Sequence, residues 1–331
     1  MPDANTILFG SDPTPGIVAV EPGADSVRLY RRVDGAVVTE TRPFRRWILT
    51  TERPPLQDAE WTELEGEGYR WLAEFRTRSA YENARQWIRE SHADHIAHPS
   101  PVRQYLISSG QTLFKGMAFD DPVRMQLDIE TIGFDPKQPR HRIILVAISD
   151  NRGFETTVEG DEEEILRGVM RVVHERDPDI IEGHNIFGFD LPYLAERARQ
   201  HGIALALGRD ARLAKQPAHP DPVEGSRPAT EQQAEHPERV EGSELAFGSR
   251  LNCMIGYFSR PYIPVHIHGR QVIDTLFAVQ RFDVSRAELS SHGLKAVAVA
   301  FGISEHDREI IPLDKIASEW KHNPDRVRTY A

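Results

Sequence analysis

Cysteine occurs once in 331 residues, at Cys253. A single thiol excludes an intrachain disulfide and every cysteine-built zinc module, and it suits a reducing compartment. Long apolar runs are also missing. No stretch approaches the roughly 20 residues a membrane helix requires, and the opening MPDANTILFGSD lacks the basic-then-apolar layout of a secretory signal. The expectation is a cytoplasmic protein with no membrane partner. Lysine is scarce, 6 residues against 34 arginines, a bias that suits bidentate phosphate contacts but carries no function by itself. Positive charge is in deficit overall: 40 basic against 51 acidic residues give −11. That argues against holding nucleic acid by bulk charge and leaves room for an enzyme acting on phosphates. No GxxxxGK loop, HExxH or GxSxG is present, so ATPase, zincin and serine-hydrolase chemistries lack a motif.

What is present reads as two domains, the prior set by length at roughly 150 residues each. In the first, DSVRLYRRVDGAVV reads as two strands around Asp34-Gly35, RRWILT as a third and YRWLAEF as another. Ser79 and Glu82 form a capping box that opens a helix with Ala84, Trp87 and Ile88 on its apolar side, ending near His98-Pro99. From about Val123 the texture becomes α/β, with strands MQLDIE, HRIILVAISD and RGFETTV in succession. Asp161 and Glu164 cap a helix stopped by Asp177-Pro178, strand DIIEGH follows, and Leu191 to Gly202 reads as the next helix. Residues 208–246 hold five prolines and almost no large apolar side chains, the composition of a mobile insertion. GRQVIDTLFAVQRF then reads as strand and helix, GLKAVAVAFG as a helix, and further helices start near Asp314 and Pro324.

Two carboxylates, Asp128 and Glu130, lie two apart on one predicted strand and therefore project from the same face. Spacing alone is weak, because four Asp-x-Glu triplets occur where chance gives about two. Context separates this one: MQLDIETIGF sets both acids within an apolar strand, where uncompensated charge costs several kcal/mol and calls for something positive. Asp190, in IIEGHNIFGFDLPYL, follows an apolar strand and a turn at the start of a helix, the end of an α/β sheet where ligands usually sit. By itself it reads as a helix cap. Asp274, after strand QVI, also reads as a cap.

Together LDIET and HNIFGFD resemble the first and second exonuclease motifs of family B DNA polymerases, particularly the bacterial DNA polymerase II-like branch. GRQVIDTLFAVQRF and SHGLKAVAVAFGI are similar to segments that the family places between its second and third motifs. The resemblance implies residues 1–121 as the family's N-terminal domain and 122–331 as a ribonuclease H-like 3′–5′ exonuclease domain with a mixed sheet. It implies hydrolysis of the 3′-terminal phosphodiester of single-stranded primer ends, as proofreading in replication or repair. Two divalent cations, Mg²⁺ or Mn²⁺, would serve that reaction. Asp128 would bridge both, Glu130 would hold the one carrying the attacking water, and Asp190 would bind the second. Asn185 and Phe189 match positions that contact the frayed end. DNA, deoxynucleotides for a full-length enzyme and a sliding clamp are the implied partners.

The family's third motif, Tyr-x-x-x-Asp, is matched by Tyr330 alone, since its aspartate would fall three residues past Ala331. The expectation is a piece of a longer polymerase. The alternatives are a non-catalytic DNA-binding module and a free-standing exonuclease with the same acids. The histidines at 92, 95 and 98 and the pair His266/His268 are read as surface or packing residues, without the cysteine or acid cluster of a zinc site. The 331-residue chain should hydrolyse 3′-labelled single strands weakly, and extension through one further helix should restore activity. Equal rates from the short and extended chains would refute this.

Overall fold

The computed structural model describes residues 10–91, 94–210, 245–303, 311–312 and 315–330. Most of the expected insertion, residues 211–244, lies outside the described residues. Two compact units meet in sequence at Pro122/Val123.

In the first unit β1 (Ile17–Pro22), β2 (Ser26–Val33) and β3 (Ala36–Pro43) form an antiparallel sheet in that order. Asp34 and Gly35 both take positive φ, 49° and 82°, the backbone a two-residue hairpin turn needs. A second sheet runs β5-β6-β4-β7, from β4 (Arg46–Thr50), β5 (Ala59–Glu63), β6 (Trp71–Phe75) and β7 (His95–Ile96). Helix α1 (Arg78–Ser91) packs Ala80, Tyr81, Ala84 and Ile88 against Ile48, Ala73 and Phe75.

Three details of α1 correct the sequence reading. Its first turn is capped by Thr77, whose hydroxyl accepts from the Ala80 N–H at 3.1 Å, while Ser79 is already helical. Trp87 is 38% exposed, because the stripe set by Ala80, Ala84 and Ile88 turns it outward. The helix stops at Ser91, and α2 (Pro101–Ser109) starts separately behind its own cap, Ser100.

The second unit is built on a five-stranded sheet of order β10-β9-β8-β11-β16. Its strands are β8 (Arg124–Thr131), β9 (Ile143–Asp150), β10 (Glu155–Glu159), β11 (Ile180–Gly183) and β16 (Gln271–Asp274). The first three pair antiparallel, and β11 pairs parallel with both β8 and β16. The near-continuous apolar run of β9 is needed because both faces are covered. Ile143, Val146 and Ile148 join the core with α3 (Glu162–Arg176) and α4 (Asp190–Gln200), while Ile144 and Leu145 meet α7 (Ile316–His322) and α8 (Pro324–Tyr330). Between these lie β12 (Ala246–Phe247), β13 (Leu251–Ile255), β14 (Phe258–Tyr262), β15 (Val265–His266), α5 (Thr275–Val284) and α6 (Leu294–Ala300). The β13–β14 hairpin has no alternating apolar pattern and was not read from the sequence; it is held by docking on α5, where Arg281 Nε donates to the Met254 carbonyl at 3.2 Å.

Asp161 and Glu164 cap α3 reciprocally, each accepting the other's backbone N–H at 2.9 Å. Beside that cap, buried Glu162 joins three elements: its carboxylate accepts from Arg197 Nε on α4 and from the Ile143 N–H of β9, both at 2.8 Å. Burial alone would raise this acid's pKa; the bonds from Arg197, Ile143 and His201 outweigh it and hold the group below the usual glutamate range. The stabilisation is thus complete at neutral pH and lost as pH falls through the lowered folded-state value. Glu162→Ala should cost about 3–5 kcal/mol in urea or thermal unfolding, because Arg197 is left charged and buried.

Candidate active site

Residues Arg124, Gln126, Asp128 and Glu130 share one face of β8, while Met125, Leu127 and Ile129 face the core under α3 and α4. Strand β11 pairs with β8 only as far as Gln126, then ends at Gly183. Glycine is required there, because a Cβ would sit 2.8 Å from the Leu127 carbonyl oxygen. The chain leaves the sheet through a turn in which Asn185 takes φ +67°. Asp274, at the end of β16, fixes that turn by accepting from the backbone N–H groups of Asn185 (2.8 Å) and Phe187 (3.3 Å). It also caps α5, as the sequence suggested, by accepting from Leu276 N–H at 3.1 Å.

The turn delivers Asp190 into the gap left by β11. Its Oδ1 accepts from the Ile129 N–H at 3.2 Å, so the carboxylate lies against the backbone between Asp128 and Glu130. Asp190 is the first residue of α4, with Phe189 at the cap position before it, so its carboxylate is free to turn to the Ile129 N–H. A cavity of about 390 Å³ opens beside Glu130 and is bordered by Phe134, Phe189, Arg140 and His141. Phe134 and Phe189 stand 6.4 Å apart, with Phe134 61% exposed. Asn185 borders a different cavity with Phe187, while its carbonyl accepts from the Phe189 N–H at 2.9 Å. Tyr330 lies in the core cluster with Leu145, and Lys295 Nζ stands over its ring, 2.7 Å from the centroid.

The sequence model for the exonuclease domain of DNA polymerase family B matches residues 108–297. This chain belongs to that family. Curated relatives include DNA polymerase 1 of Pyrococcus abyssi, 32% identical over 121 residues, and the DNA polymerase of Archaeoglobus fulgidus, 32% identical over 111. Each match covers 33% of this chain, and 15% and 14% of the relatives' lengths respectively. The structure of the family B DNA polymerase from Pyrobaculum calidifontis aligns at TM-score 0.61 and 20% identity, covering 97% of this chain and 43% of that one, a likeness of fold. The mixed sheet and its β-rich companion are thus the architecture of a 3′–5′ exonuclease region of family B, whose exonuclease domains depend on metal.

The electrostatics of the three acids fit that dependence. Burial, and then the charge of Asp128, raise Glu130 to about 7, with Lys295 opposing the rise. Asp190 is raised to about 8, first by burial and then by Asp128, with Asp274 adding to it and the Ile129 N–H opposing. A set of hard oxygen donors whose members resist ionising together is a site that a divalent cation would stabilise. Lys295 escaped the motif reading, although its signal is visible: it is the one charge in the apolar helix LKAVAVA. Arg140 and His141 left no such signal, since they sit in a polar loop and reach the cavity only through tertiary folding.

Both acids carry folded-state values above their unfolded ones, so folding takes up protons between about pH 4 and 8 and stability falls as pH rises through that window. Without divalent cations the thermal midpoint should therefore drop from pH 5.5 to pH 8.5. Mn²⁺ should restore it at the higher pH, and Asp190→Asn should flatten the pH dependence by a few degrees. Differential scanning calorimetry checks all three.

Proposed function

We propose that the exonuclease domain, residues 122–331, hydrolyses the 3′-terminal phosphodiester of single-stranded DNA and proofreads primer ends for a polymerase of which residues 1–121 are the N-terminal domain. The observation that carries this reading is the Asp190 carboxylate held against the Ile129 N–H, between Asp128 and Glu130 and beside the Phe189-bordered cavity. Asp128, Glu130 and Asp190 would hold two Mg²⁺ or Mn²⁺ ions. Bound there, the pair would offset the charges of attacking and leaving oxygens in an in-line displacement.

The chain's own groups do the rest. Phe189, with Phe134 beside it, offers a ring face on which any terminal base can stack, the tolerance an enzyme acting on every mismatch requires. Arg140 borders the same cavity, and its guanidinium would suit a phosphate oxygen. Lys295 opposes the rise of Glu130 and stands on the Tyr330 ring, a link through which the tyrosine would be held at the edge of the acid cluster. The intact acids speak against a binding module that has lost its metal site. Deoxynucleotides, a sliding clamp and a cytoplasmic setting belong to the whole polymerase in this reading.

Titration with Mn²⁺, followed by electron paramagnetic resonance, should find about two ions per chain, and Asp128→Ala should abolish both. The same substitution should reduce Mn²⁺-dependent release of a labelled 3′ nucleotide from single strands by at least about a hundredfold. Unchanged Mn²⁺ stoichiometry in Asp128→Ala would overturn the assignment.

A further inference from the structure

We propose that the second cavity, walled by Phe187, Tyr262 and Phe277, is a stacking pocket for another nucleobase of the same single strand whose terminal nucleotide enters the first. This rests on the exonuclease reading of the first cavity. The two cavities are matched in size, about 380 Å³ against about 390 Å³, so a space that admits one nucleotide in the first is matched in the second. They are also joined by one turn. Ile186 is fully buried and anchors that turn in the core, and of the two phenylalanines after it Phe187 borders the second cavity and Phe189 the first. Gly188 lets the turn fold this tightly: a Cβ there would stand 2.5 Å from Asn185 Oδ1.

The walls are aromatic and fixed. Phe187 and Tyr262 lie 5.6 Å apart with ring planes 31° from parallel, and Tyr262 meets Phe277 edge-on at 5.1 Å. All three rings remain partly exposed at the cavity, although they contact one another. The hairpin that supplies Tyr262 is pinned to α5, which supplies Phe277. Besides the Arg281 bond, its Gly256 turn lies so close to Val284 that a Cβ would come within 2.4 Å of Cγ1. Stacking walls set in advance favour a flat ligand, because little side-chain freedom remains to be lost on binding.

Charge selects the ligand further. Arg260 is the one cation among the described lining residues, and the one carboxylate, Asp274, already accepts from three backbone N–H groups. The cavity therefore offers ring faces beside a guanidinium with no ion-pair partner within 4 Å among the described residues, the pairing of base stacking with phosphate attraction that single-strand sites use. An apolar peptide would use the rings and leave Arg260 without a role.

Calorimetric titration of the full chain in EDTA, where nothing is cleaved, tests this with dTMP and with oligothymidylates of two to six nucleotides. The affinity of the unaltered chain should rise about tenfold at the length that reaches the second cavity. Phe277→Ala and Tyr262→Ala should remove that gain and leave dTMP binding unchanged. Tyr262→Phe, which keeps the ring and guards against misfolding as the cause, should retain it. Arg260→Ala should weaken only the longer oligonucleotides. The pocket is overturned if no length-dependent gain exists, or if Phe277→Ala weakens dTMP and oligonucleotides by the same factor. Phe189→Ala should weaken dTMP and oligonucleotides alike; its failure to do so would undo the exonuclease reading of the first cavity while the length-dependent gain still reported on the second.

Discussion

The site depends on one hydrogen bond that replaces a strand. A longer β11 would have continued its ladder along β8 and covered the edge at Leu127–Thr131, but the chain leaves the sheet at Gly183. The Ile129 N–H, a buried donor that must find a partner, is taken instead by the Asp190 carboxylate. Satisfying the backbone and assembling the acids are therefore one event. Asp274 supports it from the neighbouring strand by holding the turn that carries Asp190 into place.

That arrangement concentrates negative charge where little water can screen it. Glu130 and Asp190 are both nearly buried and each is pushed up by Asp128, so the folded chain holds together groups that favour protonation over sharing a pocket as anions. Elsewhere in the same unit buried acids are neutralised outright. Glu162 is clasped by Arg197, and Asp179 by Arg209 at 2.7 Å. The contrast marks the difference between a structural ion pair, whose counter-charge is built into the chain, and a cluster whose balance is left to Lys295 and, in the proposed function, to a cation from solution.

Aromatic residues follow the same division of labour. Tyr193 and Ile186 are buried and fix the segment around Asp190, whereas Phe134, Phe187 and Phe189 keep part of their rings open. Within the single turn from Asn185 to Asp190, Phe187 borders one cavity and Phe189 the other. In the proposed reading, a single strand passing this turn would meet ring faces on either side of it. The hairpin packed on α5 completes the second wall with residues some seventy positions away in sequence.

Much of the second unit was legible before folding because its signals are local. The double capping of α3, the continuous apolar run of β9, the paired acids of β8 and the Asn-x-x-x-Phe-Asp turn each depend on neighbours a few residues apart. Where the signal was a choice among nearby hydroxyls, as at Thr77 and Ser79, the packing stripe of α1 made the choice. The β13–β14 hairpin has no pattern of its own, since its order comes from docking. The sequence by itself determined most of the second unit's elements, the motif and the family, for these follow from local periodicity and fixed spacing. Only the tertiary structure decided that the Asp190 carboxylate takes the Ile129 N–H, that the charge of Lys295 acts on Glu130 and that two aromatic cavities share a turn, because burial and charge proximity arise from residues distant along the chain.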